Sequence, residues 1–310
     1  MNDLLTLPVL LGILYSGIRL ATPYLYAAIG ETFAQNSGVL NLGVEGMMLV
    51  GAFTAFYVAM QSENLWLGVL AAGLSGMAMG LLMAFISVTL QAKQGISGIG
   101  LALFGAGLSS LLFKLMMGGV QSISGFQPVR IPVLGEIPYL GDVFFNHSLL
   151  VYIAFLLVPV SSVVLYKTSF GLKVRAAGQK PEAADTLGVN VNRIRYITVS
   201  LGGFLAGIGG ASLSIALINL FQENMTNGIG FIAVALVYFG GWRPSRVMMG
   251  ALLFSFVNSL QLWIQVLGIA LPSDIAVMLP YILTIVALAV VRNRVNQPAS
   301  LTKPFQRGEA

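Results

Sequence analysis

The stretch Leu65-Trp-Leu-Gly-Val-Leu-Ala-Ala-Gly-Leu-Ser-Gly-Met-Ala-Met-Gly-Leu-Leu-Met-Ala-Phe-Ile-Ser-Val-Thr-Leu90 decides the fold. No charge interrupts it, and it exceeds the roughly 20 apolar residues that a helix needs to cross a bilayer. On its N-terminal side, comparable runs lie near Pro8–Ile29 and Leu40–Met60. On its C-terminal side they lie near Ile96–Met117, Leu149–Tyr166, Ile197–Asn219, Ile229–Phe239, Val247–Leu267 and Ile275–Val291. The 310 residues are 57% hydrophobic and 9% charged, whereas a soluble domain carries roughly a quarter charged residues. The chain therefore reads as one all-α, polytopic helical membrane domain over residues 1–310, with about nine transmembrane helices.

Charge gives the orientation. The loop 167–195 holds Lys167, Lys173, Arg175, Lys180, Arg193 and Arg195, and the tail 292–310 holds Arg292, Arg294, Lys303 and Arg307. Both are expected on the cytoplasmic side, because Lys and Arg collect there. Lys93, Arg243 and Arg246 join them if every span crosses, which leaves the N-terminus and the loop Gly118 to His147 outside. Gly228 to Gly241 is short for a crossing. A re-entrant reading would move Arg243, Arg246 and the tail outside, so the charges favour a short crossing helix packed inside the bundle. The start Met1-Asn2-Asp3 lacks a basic region, so the first span reads as a retained helix. No cysteine is present and His147 is the single histidine, which excludes disulfides, thiolate chemistry and multi-histidine metal sites. The net charge of +5 comes from residues beside apolar spans and does not imply nucleic acid. Gly76-Met-Ala-Met-Gly80 and Gly203-Phe-Leu-Ala-Gly207 are GxxxG patterns that bring helix backbones close, although 36 glycines also produce such patterns by chance.

Between the first two spans the chain turns polar: Gly30-Glu-Thr-Phe-Ala-Gln-Asn-Ser-Gly-Val-Leu-Asn-Leu-Gly-Val-Glu-Gly46. Two readings compete. In one, Asn41 and Glu45 line a path through the membrane or hold a broken helix in place, since polar groups at membrane depth face a cavity or a partner. In the other, the segment is an ordinary turn with Glu31 to Ser37 in water. Arg19 can snorkel outward or pair with an acid, Lys114 lies close enough to a span end to reach headgroups, and His147 reads as an interfacial residue.

In the basic loop, Pro181 suits a first helical position, Glu182 and Asp185 suit the positive end of a helix, and Gly188 suits its stop. So short a helix must dock on the bundle or on a partner. The stretch Phe170-Gly-Leu-Lys-Val-Arg-Ala-Ala-Gly-Gln-Lys-Pro-Glu-Ala-Ala-Asp-Thr-Leu-Gly-Val-Asn-Val191 resembles the coupling loop of ABC importer permeases of the branched-chain amino acid, simple-sugar and nucleoside superfamily. Ser37-Gly-Val-Leu-Asn-Leu-Gly-Val-Glu-Gly-Met-Met-Leu-Val-Gly-Ala-Phe53 resembles the same family, and its Asn-Leu-Gly-x-Glu-Gly form is similar to the nucleoside and simple-sugar branch. Gly228-Ile-Gly-Phe-Ile-Ala-Val-Ala followed by Phe239-Gly-Gly-Trp242 is a third match. The family often has an acid where Gln179 stands, and charges within Thr32 to Ser37.

The resemblance implies a type II ABC importer-like permease in the bacterial cytoplasmic membrane, with its C-terminus cytoplasmic. Pro181, Glu182, Ala183, Ala184, Asp185 and Gly188 would couple it to cytoplasmic ATPase subunits. Those subunits bind ATP and Mg, because this chain lacks a phosphate-binding loop and needs no cofactor of its own. A second permease, identical or not, and an extracytoplasmic binding protein complete the assembly. The implied solute is a nucleoside, with a simple sugar as the alternative. Candidate path residues are Tyr24, Tyr26, Phe33, Asn41, Glu45 and Phe239, although aromatic residues are also ordinary packing residues. An ion-coupled secondary transporter would use Glu45 but leaves the basic loop unexplained. An intramembrane enzyme lacks any matching motif.

Overall fold

The computed structural model describes residues 6–267, 278, 282, 285 and 297–306. Eleven helices appear among them: α1 (Leu7–Asn36), α2 (Val44–Ser62), α3 (Leu65–Ala84), α4 (Gln94–Met116), α5 (Leu140–Phe144), α6 (Leu149–Lys167), α7 (Ser169–Gln179), α8 (Pro181–Thr186), α9 (Val191–Ser212), α10 (Ile229–Phe239) and α11 (Pro244–Val266). α3 and α9 each end in a turn of π-helix, Phe85–Thr89 and Leu213–Leu217. Seven helices are long and apolar enough to span a membrane: α1, α2, α3, α4, α6, α9 and α11. α10 is the seventh of the nine expected spans in chain order. The ninth, Ile275–Val291, falls outside the described residues apart from Met278, Ile282 and Ile285, as do Arg292, Arg294 and Arg307 of the tail.

Burial separates the helices into two sets. α1, α2 and α9 are buried along most of their length, which is the signature of helices surrounded by others. α3, α4, α6 and α11 bury one face and expose large apolar side chains on the other, among them Leu74, Leu103 at 70%, Leu115 at 73%, Leu156 and Met249. Continuous exposed apolar faces of this extent do not tolerate water. The chain is a polytopic membrane protein with an inner trio of helices and an outer, lipid-compatible layer.

The two GxxxG patterns meet each other. A side chain at Gly203 would strike the backbone of Gly76 and Gly80, and one at Gly76 would strike Gly203 and Gly207. α3 and α9 therefore touch backbone to backbone, where dispersion and weak polar contacts replace side-chain packing.

α10 does not cross by itself. Its 11 residues give about 16 Å at 1.5 Å per residue, half of the roughly 30 Å hydrocarbon thickness. Leu220 bridges to Ser122 at the end of the bundle opposite the basic loop, while Trp242 meets Asn36 at the basic end. Residues 218–228 therefore descend as irregular backbone and α10 completes the passage, so the expected single short helix is a crossing made of two unlike halves. Irregular backbone at this depth persists because protein groups satisfy it.

At the basic end, Thr168 caps α7 by accepting the Gly171 N–H on its hydroxyl (3.2 Å). α8 follows with Pro181 at its first position, and Gly188, at φ +81°, ends it. The tail segment 297–306 returns to this end, where Ser300 N–H donates to Gly178 O (2.9 Å) and Thr302 N–H to Gly38 O (3.2 Å). At the opposite end, Val129–Arg130 (β1) pairs antiparallel with Asn146–His147 (β2).

Candidate functional site

α1 continues as a helix through Gly30 and stops only at Asn36. Ser37–Gly43 then folds back against it, with Gly38 at φ +97°. Glu31, Thr32, Gln35, Ser37 and Asn41 are each 0% exposed, so a solvated turn is ruled out. The polar segment is a helix break sealed inside the bundle.

Glu45, in the first turn of α2, is the strongest polar contact in this break. Its Oε1 accepts the Thr226 hydroxyl (2.5 Å) and the Gly228 N–H (2.8 Å), and its Oε2 accepts the Gly230 N–H (2.6 Å). These donors form the N-terminal end of α10. A carboxylate there satisfies backbone N–H groups that no helical carbonyl reaches and meets the positive end of the helix dipole. The chain can make this contact because Gly228 adopts φ +87° and because a side chain at Gly230 would strike Glu45 itself. Two broken elements, α1–α2 and 218–α10, are thereby joined through one carboxylate at the middle of the bundle.

A second chain of hydrogen bonds runs toward the basic end. Asn41 N–H (3.0 Å) and the Gln35 amide (2.9 Å) both donate to Glu31 Oε1. Gln35 Oε1 accepts the Trp242 indole N–H (2.7 Å), and the Asn36 amide donates to Trp242 O (3.2 Å). Glu31 Oε2 is buried with no hydrogen-bond partner. Asn41 Oδ1 accepts Gly43 N–H (2.9 Å), which closes the turn before α2.

The expected aromatic residues have separate surroundings. Tyr26 donates its hydroxyl to Leu150 O (2.8 Å), Tyr24 packs edge-on against Phe254 at 5.3 Å, and Phe33 is buried in the main apolar cluster. Phe239, half-buried at the end of α10, lies over Gly250 of α11. Asn41 and Glu45 share the helix break, while the four aromatic side chains are spread along the bundle around it.

Sequence reasoning overlooked Arg195, which it counted only among the basic-loop charges. Arg195 is 1% exposed, and its guanidinium donates to Ser37 O (3.1 Å), Lys303 O (3.1 Å) and Ser300 Oγ (3.4 Å). It fastens the helix break and the returning tail to α9. Its position four residues into α9, before the expected span start at Ile197, concealed it. Lys114 pairs with Glu223 (3.3 Å) at the surface, Arg19 lies over the Tyr15 ring, and His147 is buried and stacks on Tyr15. Among the described residues, no three acidic or histidine side chains gather into a metal-binding group.

The family profile described as branched-chain amino acid transport system / permease component matches residues 13–288. The chain belongs to this permease family. It is 40% identical to the putative glucose ABC transporter permease protein TsgC13 of Haloferax volcanii, across 96% of this chain and 98% of that protein. It is 35% identical to the guanosine ABC transporter permease protein NupQ of Bacillus subtilis, across 93% and 94%. It is 34% identical to the nucleoside ABC transporter permease protein NupC of Lactococcus lactis, across 90% and 91%. No solved structure matches. The permease is thus a transport subunit of the ABC type, and relatives carrying nucleoside and sugar names both cover it nearly end to end.

In the permease, α8 rests on the bundle through the buried Pro181 and Ala184. Glu182, Ala183 and Gly188 are exposed, and Asp185 is half-buried. Leu187, 85% exposed just past the end of α8, is an apolar surface residue that the sequence reading did not single out.

Proposed function

We propose that this permease forms the membrane path of an ATP-driven importer for nucleosides, with its basic end in the cytoplasm of the cell. The observation that carries the proposal is the Glu45 carboxylate joining the α1–α2 break to the N-terminus of α10. Broken helices with bound backbone ends surround transported solutes in membrane transporters. The nucleoside assignment draws support from the names of the Bacillus and Lactococcus relatives. A simple-sugar substrate is the second reading, supported by the Haloferax relative.

ATPase subunits holding Mg-ATP would seat on α8. Glu182, Ala183, Asp185 and Gly188 would face them, with Pro181 and Ala184 as the buttress and Leu187 as an added apolar anchor. A second permease and an extracytoplasmic binding protein would complete the importer. Asn41 and Glu45 would hold the break that shapes the path, with Tyr24, Tyr26, Phe33 and Phe239 packed around it. ATP drives transport only by binding the outward- and inward-facing states with different affinity, and α8 is the element through which that difference would reach the bundle.

The test is reconstitution with co-purified partners in liposomes, followed by uptake of radiolabelled guanosine. Uptake that needs ATP and is competed by other nucleosides, but not by glucose or ribose, supports the reading. Competition by glucose alone would move the substrate to sugars. Pro181→Gly combined with Glu182→Lys should leave the protein in the membrane and abolish ATP-dependent uptake. Normal uptake and normal ATPase stimulation in that variant would reject α8 as the coupling element.

A further inference from the structure

At the basic end, α7 and the turn from α10 into α11 enclose a cavity of about 300 Å³, the lower end of the small-ligand range. Arg175 and Gln179 of α7 form one wall, and Trp242 and Arg243 of the turn form another. Tyr166 at the end of α6 and Asn36 at the end of α1 also line it. Among the described residues no acidic side chain lines the cavity, and the ion pairs, Lys114–Glu223 and Arg130–Asp142, lie elsewhere.

Several polar groups around it offer donors. Trp242 O already accepts from Asn36 (3.2 Å) and from the Tyr166 hydroxyl (3.3 Å). Gln179 Oε1 accepts the Ala299 N–H (3.4 Å), which leaves its NH₂ as a donor. The Arg175 guanidinium is positioned over the Tyr166 ring, 5.1 Å from the centroid, and its buried Nε has no hydrogen-bond partner. A buried donor left without an acceptor is costly and rare in folded proteins. Two arginines lining one cavity suit a tetrahedral oxyanion, which planar guanidiniums grip through paired N–H groups.

We infer that this cavity binds a phosphate-type anion, held by Arg175 from α7 and Arg243 from the α10–α11 turn. The site lies at the ends of α6 and α10, the level of a membrane surface. Its phosphate comes either from an anionic phospholipid headgroup, for which basic pockets between helices are selective, or from a soluble phosphate. In either case the anion links the loop that carries α8 to the segment that Glu45 anchors.

The experiment is thermal unfolding of the purified permease complex, in two arms. One arm titrates sodium phosphate against sodium chloride at equal ionic strength. The other compares phosphatidylglycerol with phosphatidylcholine nanodiscs. Wild type is compared with R175Q/R243Q and with K173Q/K303Q, which removes the same charge outside the cavity. The expected result is anion-specific stabilisation in wild type and in K173Q/K303Q. In R175Q/R243Q the required concentration should rise about tenfold or more, the factor that loss of a charged hydrogen bond carries. A response only to phosphatidylglycerol identifies a lipid headgroup, and a response to inorganic phosphate identifies a soluble ligand. Should the double variant fail to fold, R243Q alone serves, because Arg243 is exposed and makes no side-chain hydrogen bond or ion pair among the described residues. Equal responses, or no response, in wild type and the arginine variant would overturn the inference.

Discussion

Glu31 and Glu45 flank the same helix break, and both are buried, yet their surroundings differ. Glu45 gives both oxygens to donors of one helix end: two backbone N–H groups and a hydroxyl. Glu31 gives one oxygen to Asn41 N–H and the Gln35 amide, and its other oxygen has no partner. Glu45 is therefore an anchor whose removal strands several buried donors. Glu31 is one link in a chain of neutral groups that runs to Trp242. In a membrane protein, the number of donors that depend on an acid says more about its structural role than burial does.

The most disruptive way to probe this contrast is Glu45→Leu. It leaves Gly228 N–H, Gly230 N–H and the Thr226 hydroxyl unpaired, and should destabilise the bundle by about 3–5 kcal/mol, since each stranded buried donor costs roughly 1–3 kcal/mol. Loss of the cooperative thermal transition, or its displacement by many degrees in detergent, is the expected observation. Arg195→Leu should come next, at roughly 2–3 kcal/mol, because it frees Ser37 O, Lys303 O and Ser300 Oγ from a charged donor. Limited chymotrypsin digestion should then cut after Phe305, a buried residue of the returning tail, faster than in wild type while the spans stay intact. Thr226→Val, close to isosteric, removes one of three donors to Glu45 and should cost about 1.5 kcal/mol, read as a smaller shift of the same transition. Glu31→Gln should have the least effect, within about 1 kcal/mol, since an amide oxygen can still accept from Asn41 and Gln35. Near-wild-type guanosine uptake by Glu31→Gln sharpens the contrast, and loss of uptake would remove it.

The two carboxylates also mark the limit of what sequence can disclose here. The spans were legible because apolar runs longer than a bilayer's thickness have few other uses. The GxxxG pairs, Pro181 at the start of α8 and Gly188 at its end were legible because each rests on local backbone geometry. The end of α1 was not. Glu31, Gln35 and Asn36 look like a solvated turn, and only contacts with Trp242, some 200 positions away, make them interior residues. Glu45 could be singled out as a polar residue at membrane depth, but its partners Thr226 and Gly230, more than 180 positions distant, could not. α7 was missed because its basic residues read as topological signals. Arg195 was missed for the same reason, although it binds backbone carbonyls inside the bundle.

The most direct measurement is side-by-side uptake of radiolabelled guanosine by liposomes holding the complex with wild-type, Glu45→Leu or Glu31→Gln permease, normalised to inserted protein. The account predicts uptake close to wild type for Glu31→Gln, and uptake reduced at least about tenfold for Glu45→Leu, the factor set by 1.4 kcal/mol. Wild-type uptake by Glu45→Leu together with an unchanged unfolding temperature would contradict it.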